Sequence, residues 1–192
     1  MNKTETRYMK KVTLLGDSIR LIGYGTKVPE LLGDGYTVFQ PTDNCRFAQY
    51  LLRCVFDYKN EIAGSDVVHY NAGLWDATFL FSDKKSFTPV EDYCKTLLRV
   101  TDELKKLCPR LIFATTTPCR TDMPYNDNGI IKSYNDAIVP LLKERGVEIN
   151  DLNALVSKDI IGYIRDDDKI HLTEKGIEDC SRQVVKAIKS KL

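Results

Sequence analysis

The chain has no long apolar run. No stretch approaches the roughly 20 residues that span a bilayer. The segment from Met1 to Lys11 is polar and charged, without the apolar core of a secretory signal. Neither a membrane span nor export is expected, and the cytoplasm is the expected location. An excess of one charge is also missing. There are 28 basic and 27 acidic residues, and the longest basic runs are pairs such as Lys10-Lys11, Lys84-Lys85 and Lys105-Lys106. Nothing electrostatic therefore points to nucleic acid or an anionic membrane as partner. The six cysteines contain no C-x-x-C pair, and Cys54, Cys94 and Cys180 fall on apolar helical positions. A disulfide framework or zinc site is not expected, and buried reduced thiols are. Histidine is scarce, with two in the whole chain.

What is there is an ordinary apolar content, 43% of 192 residues, enough for one domain with a full core over residues 1–192. Strand and helix patterns alternate. Val12 to Leu15, Tyr36 to Phe39, Asp66 to Tyr70, Leu111 to Thr116 and Val147 to Ile149 read as five strands. Between them, Phe47, Tyr50, Leu51, Cys54, Val55, Tyr58 and Ile62 follow helical spacing. So do Val90, Tyr93, Cys94, Leu97, Thr101 and Leu104 in a helix from about Pro89 to Leu107. Ile131, Tyr134, Ile138, Leu141 and Leu142 mark a third helix containing Pro140, and a last helix starts near Thr173. Thr42-Asp43-Asn44 offers helix-starting residues. This alternation predicts an α/β protein: a three-layer α/β/α sandwich around a five-stranded parallel sheet, flavodoxin-like.

The first strand runs into Gly16-Asp17-Ser18. In an open α/β sheet, ligands bind beyond the carboxyl ends of the strands, so Ser18 sits where chemistry is usually done. A serine needs a base to act as a nucleophile. His69 lies within a strand pattern and reads as structural. His171 lies in the polar loop Arg165-Asp166-Asp167-Asp168-Lys169-Ile170-His171, with Asp168 three residues before it. On a turn, Asp168 can hold one imidazole nitrogen and leave the other for Ser18. The competing reading is a solvated acidic loop with an incidental histidine.

With Gly16-Asp17-Ser18 near one end and Asp168-x-x-His171 near the other, the sequence resembles the SGNH, or GDSL-type, hydrolase family of serine esterases. The resemblance spans Val12 to about Gly176. It implies Ser18, Asp168 and His171 as catalytic residues and requires neither metal nor cofactor. The middle blocks depart from the family pattern. Where Gly-x-Asn-Asp is usual, this chain has Gly73-Leu74-Trp75-Asp76, preceded by Asn71-Ala72. The Asn-x-Gly-Leu-x-Asp arrangement resembles one branch of the family. Asn71 is expected to supply the side-chain oxyanion donor, beside Gly73. The segment after strand two, Thr42-Asp43-Asn44-Cys45-Arg46, lacks the family glycine, and a backbone N–H of Thr42 or a neighbour is expected instead. Asn44 reads as a helix cap, Arg46 as a partner for a nearby carboxylate, and Cys119 as a buried thiol. Trp75 reads equally as a site wall or as core. Asp17 is expected to order the serine turn.

The resemblance implies a carboxylic ester hydrolase acting on a small-molecule ester, with an acetylated carbohydrate as the leading substrate. A lysophospholipase or thioesterase is an alternative that a long apolar groove would favour. A carbohydrate-binding relative without catalysis is another, motivated by the altered middle blocks.

Overall fold

The computed structural model describes residues 9–192. The reading of the N-terminal stretch as a polar leaderless segment lies, up to Tyr8, outside the described residues. The sheet is parallel throughout: β1 (Lys10–Leu15), β2 (Tyr36–Phe39), β3 (Val67–Tyr70), β4 (Leu111–Ala114) and β5 (Glu148–Asn150) stand in the order β2-β1-β3-β4-β5. Val12 pairs with Val38 on one side and Val67 on the other. Every residue of β3 and β4 is buried, as expected of a parallel sheet covered on both faces.

After β1 come a π-helical turn (Ile19–Gly23), a 3₁₀ turn (Tyr24–Thr26) and α1 (Val28–Leu32). After β2 come α2 (Ala48–Asp57) and α3 (Lys59–Ile62), and after β3 comes α4 (Val90–Leu107). The chain continues through α5 (Asn128–Glu144), α6 (Leu152–Val156), α7 (Ile160–Tyr163) and α8 (Glu174–Lys189). α2, α4 and α5 pack together as one layer, and α1, α6 and α7 pack around α8 as the other.

The spacing that defines α4 also defines what it buries: Tyr93, Cys94, Leu97, Val100, Thr101 and Leu104. Burying each large apolar side chain contributes about 1.5–3 kcal/mol. Glu91 and Asp92 in its first turn and Lys105 and Lys106 in its last complement the helix dipole. Thr173 caps α8 by accepting the Gly176 N–H, and α5 runs through Pro140 as one helix. All six cysteines are buried free thiols. Among the described residues, no helix is long and apolar enough to cross a membrane.

One expected helix is revised. The segment up to Ile62 divides at Tyr58 into α2 and α3, and α2 begins at Ala48 rather than after Asn44. Asn44 accepts the Arg46 N–H two residues on, which closes a local turn. The helix is capped from elsewhere: the buried Asp76 carboxylate accepts the Ala48 N–H at 3.0 Å.

Candidate active site

β1 and β3 are neighbours from which the chain departs in opposite directions, to β2 and to β4. Crevices at such a reversal are where open α/β sheets take ligands. Ser18 follows β1 there and opens the π-helical turn, a rare conformation that is frequent at functional sites. The turn is built from buried polar groups. The Asp17 carboxylate accepts the Ile19 N–H at 2.9 Å and the Asn71 amide N–H at 2.8 Å. Burial pushes the Asp17 pKa up to about 6, against the pull of these hydrogen bonds. Gly16 is required by close approach: a Cβ there would stand 2.0 Å from Asn71 Oδ1.

Arg20 is completely buried behind the serine. Its guanidinium donates to the carbonyls of Pro41 (2.7 Å), Gly16 (3.1 Å) and Asp43 (2.7 Å). The loop after β2 is thereby tied to the turn after β1. The Arg20 Nε has no partner among the described residues.

His171 arrives on a loop pinned at both ends. Ile164 and Leu172 form an antiparallel bridge, and the Arg165 N–H donates to the His171 carbonyl. Arg120 donates from its side chain to the Ile164 carbonyl and from its backbone to that of Lys169. Lys169 turns the loop in a left-handed conformation, φ 65°. The three adjacent aspartates are all paired, and Arg165 Nη1 also lies 3.5 Å from Asp168 Oδ2. Asp166 pairs with Lys169 and Arg120, and Asp167 with Arg165. Asp168 accepts the backbone N–H groups of Ile170 (3.1 Å) and His171 (2.9 Å) on one oxygen. Its other oxygen lies 3.0 Å from His171 Nδ1. Partial burial pushes the Asp168 pKa up, but the hydrogen bonds from His171 and Ile170 outweigh it and hold it at about 2. His171 Nε2 is 2.8 Å from Ser18 Oγ.

Ser18 and His171 open into a cleft of about 270 Å³. Its walls are Phe47, Leu74, Trp75, Leu80, Phe87, Met123, Tyr125 and Ile170, with Thr78 and Asn126. Phe47 and Phe87 meet edge to face, 5.2 Å between centroids. Trp75 is 41% exposed and faces the cleft rather than the core.

The structure thus brings Ser18, His171 and Asp168 together. Asn71, Thr42 and Gly73 do not line that cleft. Against the expectation of a donor aimed at substrate, the Asn71 amide turns behind the serine. It donates to Asp17 and accepts the Tyr24 hydroxyl at 2.7 Å. The buried Asp17 carboxylate needs that donor, and this fixes the orientation. Thr42 is exposed on the loop that Arg20 holds. Gly73 is demanded by packing, because a Cβ would sit 2.3 Å from Thr116 Oγ1. His69 is buried, accepts from Asn150 and stands edge-on to Tyr24, and burial lowers its pKa to about 3. Arg46 stacks on the Tyr50 ring instead of pairing with a carboxylate. Cys119 is buried, with its thiol pushed up to about 11 by burial.

Sequence reasoning did not single out Arg20, Tyr24 or the cleft walls between Thr78 and Phe87. An arginine four residues past a buried glycine, in an otherwise apolar turn, was the available signal for Arg20.

No family model matches the chain, and no curated protein sequence matches it. Solved structures do. A lipase/acylhydrolase from Enterococcus faecalis is 20% identical and superposes with a TM-score of 0.78, covering 96% of this chain and 97% of its own. An acetyl xylan esterase is 21% identical at a TM-score of 0.75, covering 93% and 99%. A member of the lipolytic protein G-D-S-L family from Veillonella parvula is 15% identical at 0.74, covering 94% and 98%. The chain therefore has the fold of the GDSL hydrolases, over nearly its whole length.

Proposed function

We propose that the protein is a serine hydrolase of small carboxylic esters, with Ser18 as nucleophile, His171 as general base and acid, and Asp168 as the group that orients His171. One observation carries the reading. Asp168, His171 and Ser18 form a continuous line of hydrogen bonds of 3.0 and 2.8 Å, open to a cleft. In this reading Ser18 Oγ attacks the ester carbonyl while His171 Nε2 takes its proton. The imidazolium then gives the proton to the leaving alcohol, and water releases the acyl group by the reverse sequence. Asp168 remains ionised throughout, consistent with its low pKa, and stabilises the imidazolium through Nδ1. The backbone N–H of Ser18 is an oxyanion donor. Asn71 is a positioning residue: it holds Asp17, which holds the Ile19 N–H and so the turn that presents Ser18.

The lipase, acylhydrolase and acetyl xylan esterase names among the fold neighbours support ester hydrolysis for this chain. The xylan esterases also support the acetylated carbohydrate as a substrate, and the apolar cleft supports an acylhydrolase or thioesterase specificity.

Covalent labelling by a fluorophosphonate tests the proposal. Stoichiometric labelling of the folded protein, abolished in Ser18→Ala and strongly slowed in His171→Ala, is expected. Absence of labelling, or equal labelling of Ser18→Ala, would refute it.

A further inference from the structure

The cleft beside Ser18 differs from a sugar site in one respect that its residues decide. Few polar groups face it, and those are already committed. Thr78 Oγ1 donates to the Leu74 carbonyl at 2.9 Å. The Asn126 amide donates to the same carbonyl at 3.0 Å and to Thr78 at 3.1 Å. Apart from Ser18 and His171, that leaves the half-exposed Tyr125 phenol and the Trp75 indole N–H as the uncommitted polar side-chain groups among the described lining residues. A pyranose entering here would give up water around several hydroxyls and find almost no replacement, a cost that hydrogen-bonding sites avoid.

The rest of the wall is apolar and left open to water. Leu80 is 51% exposed, Phe87 44% and Trp75 41%. Large rings grouped around one cavity, rather than scattered singly, mark a site that takes an apolar group. Two contacts hold the wall in place without a ligand. The Phe79 N–H donates to the Tyr125 carbonyl, and the Phe87 N–H donates to that of Thr78. The cleft is thus preformed.

We propose that this cleft binds the hydrocarbon part of the ester, so that the preferred substrates carry an apolar group of several carbons rather than an acetylated sugar. The inference rests on the reading of Ser18 as nucleophile. Each methylene moved from water to such a wall should raise kcat/KM about fourfold.

The test has two series and one control. One series varies the acyl chain of 4-nitrophenyl esters from acetate to decanoate. The other keeps acetate and lengthens a straight-chain alcohol from ethyl to octyl, with an acetylated xylo-oligosaccharide alongside. The series that rises identifies which side of the ester occupies the cleft. A rise of about two orders of magnitude in kcat/KM from two to six carbons is expected in one of them. In Phe87→Ala and in Trp75→Ala, both at half-exposed positions that the fold tolerates, the gain per methylene should fall below twofold. Flat series in both arms, or an acetylated oligosaccharide turned over faster than every chain ester, overturn the proposal. Fluorophosphonate labelling of Ser18 is the control. If Ser18 labels and the series are flat, the cleft assignment alone fails. If Ser18 does not label, the esterase reading fails and takes this proposal with it.

Discussion

Replacing Asn71 by alanine tests whether this residue supports the serine turn from behind. Asn71 is 5% exposed and lies between two other buried groups, Asp17 and Tyr24. The substitution removes both of its hydrogen bonds and brings no water to replace them. An orphaned Tyr24 hydroxyl costs about 1–3 kcal/mol, and a carboxylate losing a charge-assisted bond costs about 1.5–3 kcal/mol. The sum, roughly 3–5 kcal/mol, corresponds to a drop of about 10 °C in Tm for a chain of this size. The cost should also depend on pH. The Asn71 bond favours ionised Asp17, whose pKa is about 6 with the bond in place. Without it the folded pKa rises further, while the unfolded value stays the same. The two proteins differ least when Asp17 is protonated in both and most when it is ionised in the wild type, so the loss is larger at pH 8 than at pH 5. Urea unfolding followed by the fluorescence of Trp75, the single tryptophan, measures it at both pH values. A loss under about 1 kcal/mol, or a larger loss at pH 5, would refute the reasoning.

Other outcomes follow from the same geometry. Burial holds the Asp76 pKa at about 6 against 3.8 in a free chain, so the folded state binds more protons between those values and stability falls as pH rises through them. Asp76→Asn keeps an oxygen for the Ala48 N–H and should gain about 2–3 kcal/mol on wild type between pH 4 and pH 8 in denaturant titrations. Asp168 has the opposite sign. Its pKa lies near 2, so its contribution is present above about pH 4 and is lost as pH falls toward 2. Asp168→Asn should lower kcat by about 10⁴ with little change in KM, by losing the His171 tautomer; steady-state kinetics on a 4-nitrophenyl ester measure this, and a drop under tenfold contradicts the assigned role. Gly73→Ala places a Cβ against Thr116 Oγ1 and should cost about 1–3 kcal/mol or more. Thr116→Ala in the same chain should return part of that loss, as unfolding midpoints of the double mutant would show.

The sheet was legible because parallel strands buried on both faces give unbroken apolar runs, as at Val67 to Tyr70 and Leu111 to Ala114. The long helices were legible because α4 and α8 each bury one regular face. The start of α2 was not, because its first N–H is capped by Asp76, a residue 28 positions away that no local pattern connects to it. The meeting of Ser18 with His171 was legible because histidine is so scarce that the serine had few candidate partners. The direction of Asn71 was hidden for a different reason. An asparagine at a strand end looks the same in sequence whether it faces substrate or a buried carboxylate. Only the three-dimensional demand of Asp17 decides. The aromatic wall escaped notice because Leu80, Phe87 and Tyr125 lie in loops without periodicity.

The two contacts of His171 have very different histories on the ribosome. Asp168 is three residues away, so that pair can form as soon as the loop leaves the exit tunnel. Ser18 is 153 residues away, and it meets the imidazole only when the loop between α7 and α8 docks beside the end of β1. Domains generally fold as units during synthesis, and contacts this distant in sequence close late. A nascent chain ending before α7 carries Ser18 without His171. Under the proposed mechanism, reactivity at Ser18 is a readout of that closure: a covalent serine probe added to stalled chains of increasing length should mark those that have closed the sheet and seated His171, and leave shorter ones unmarked.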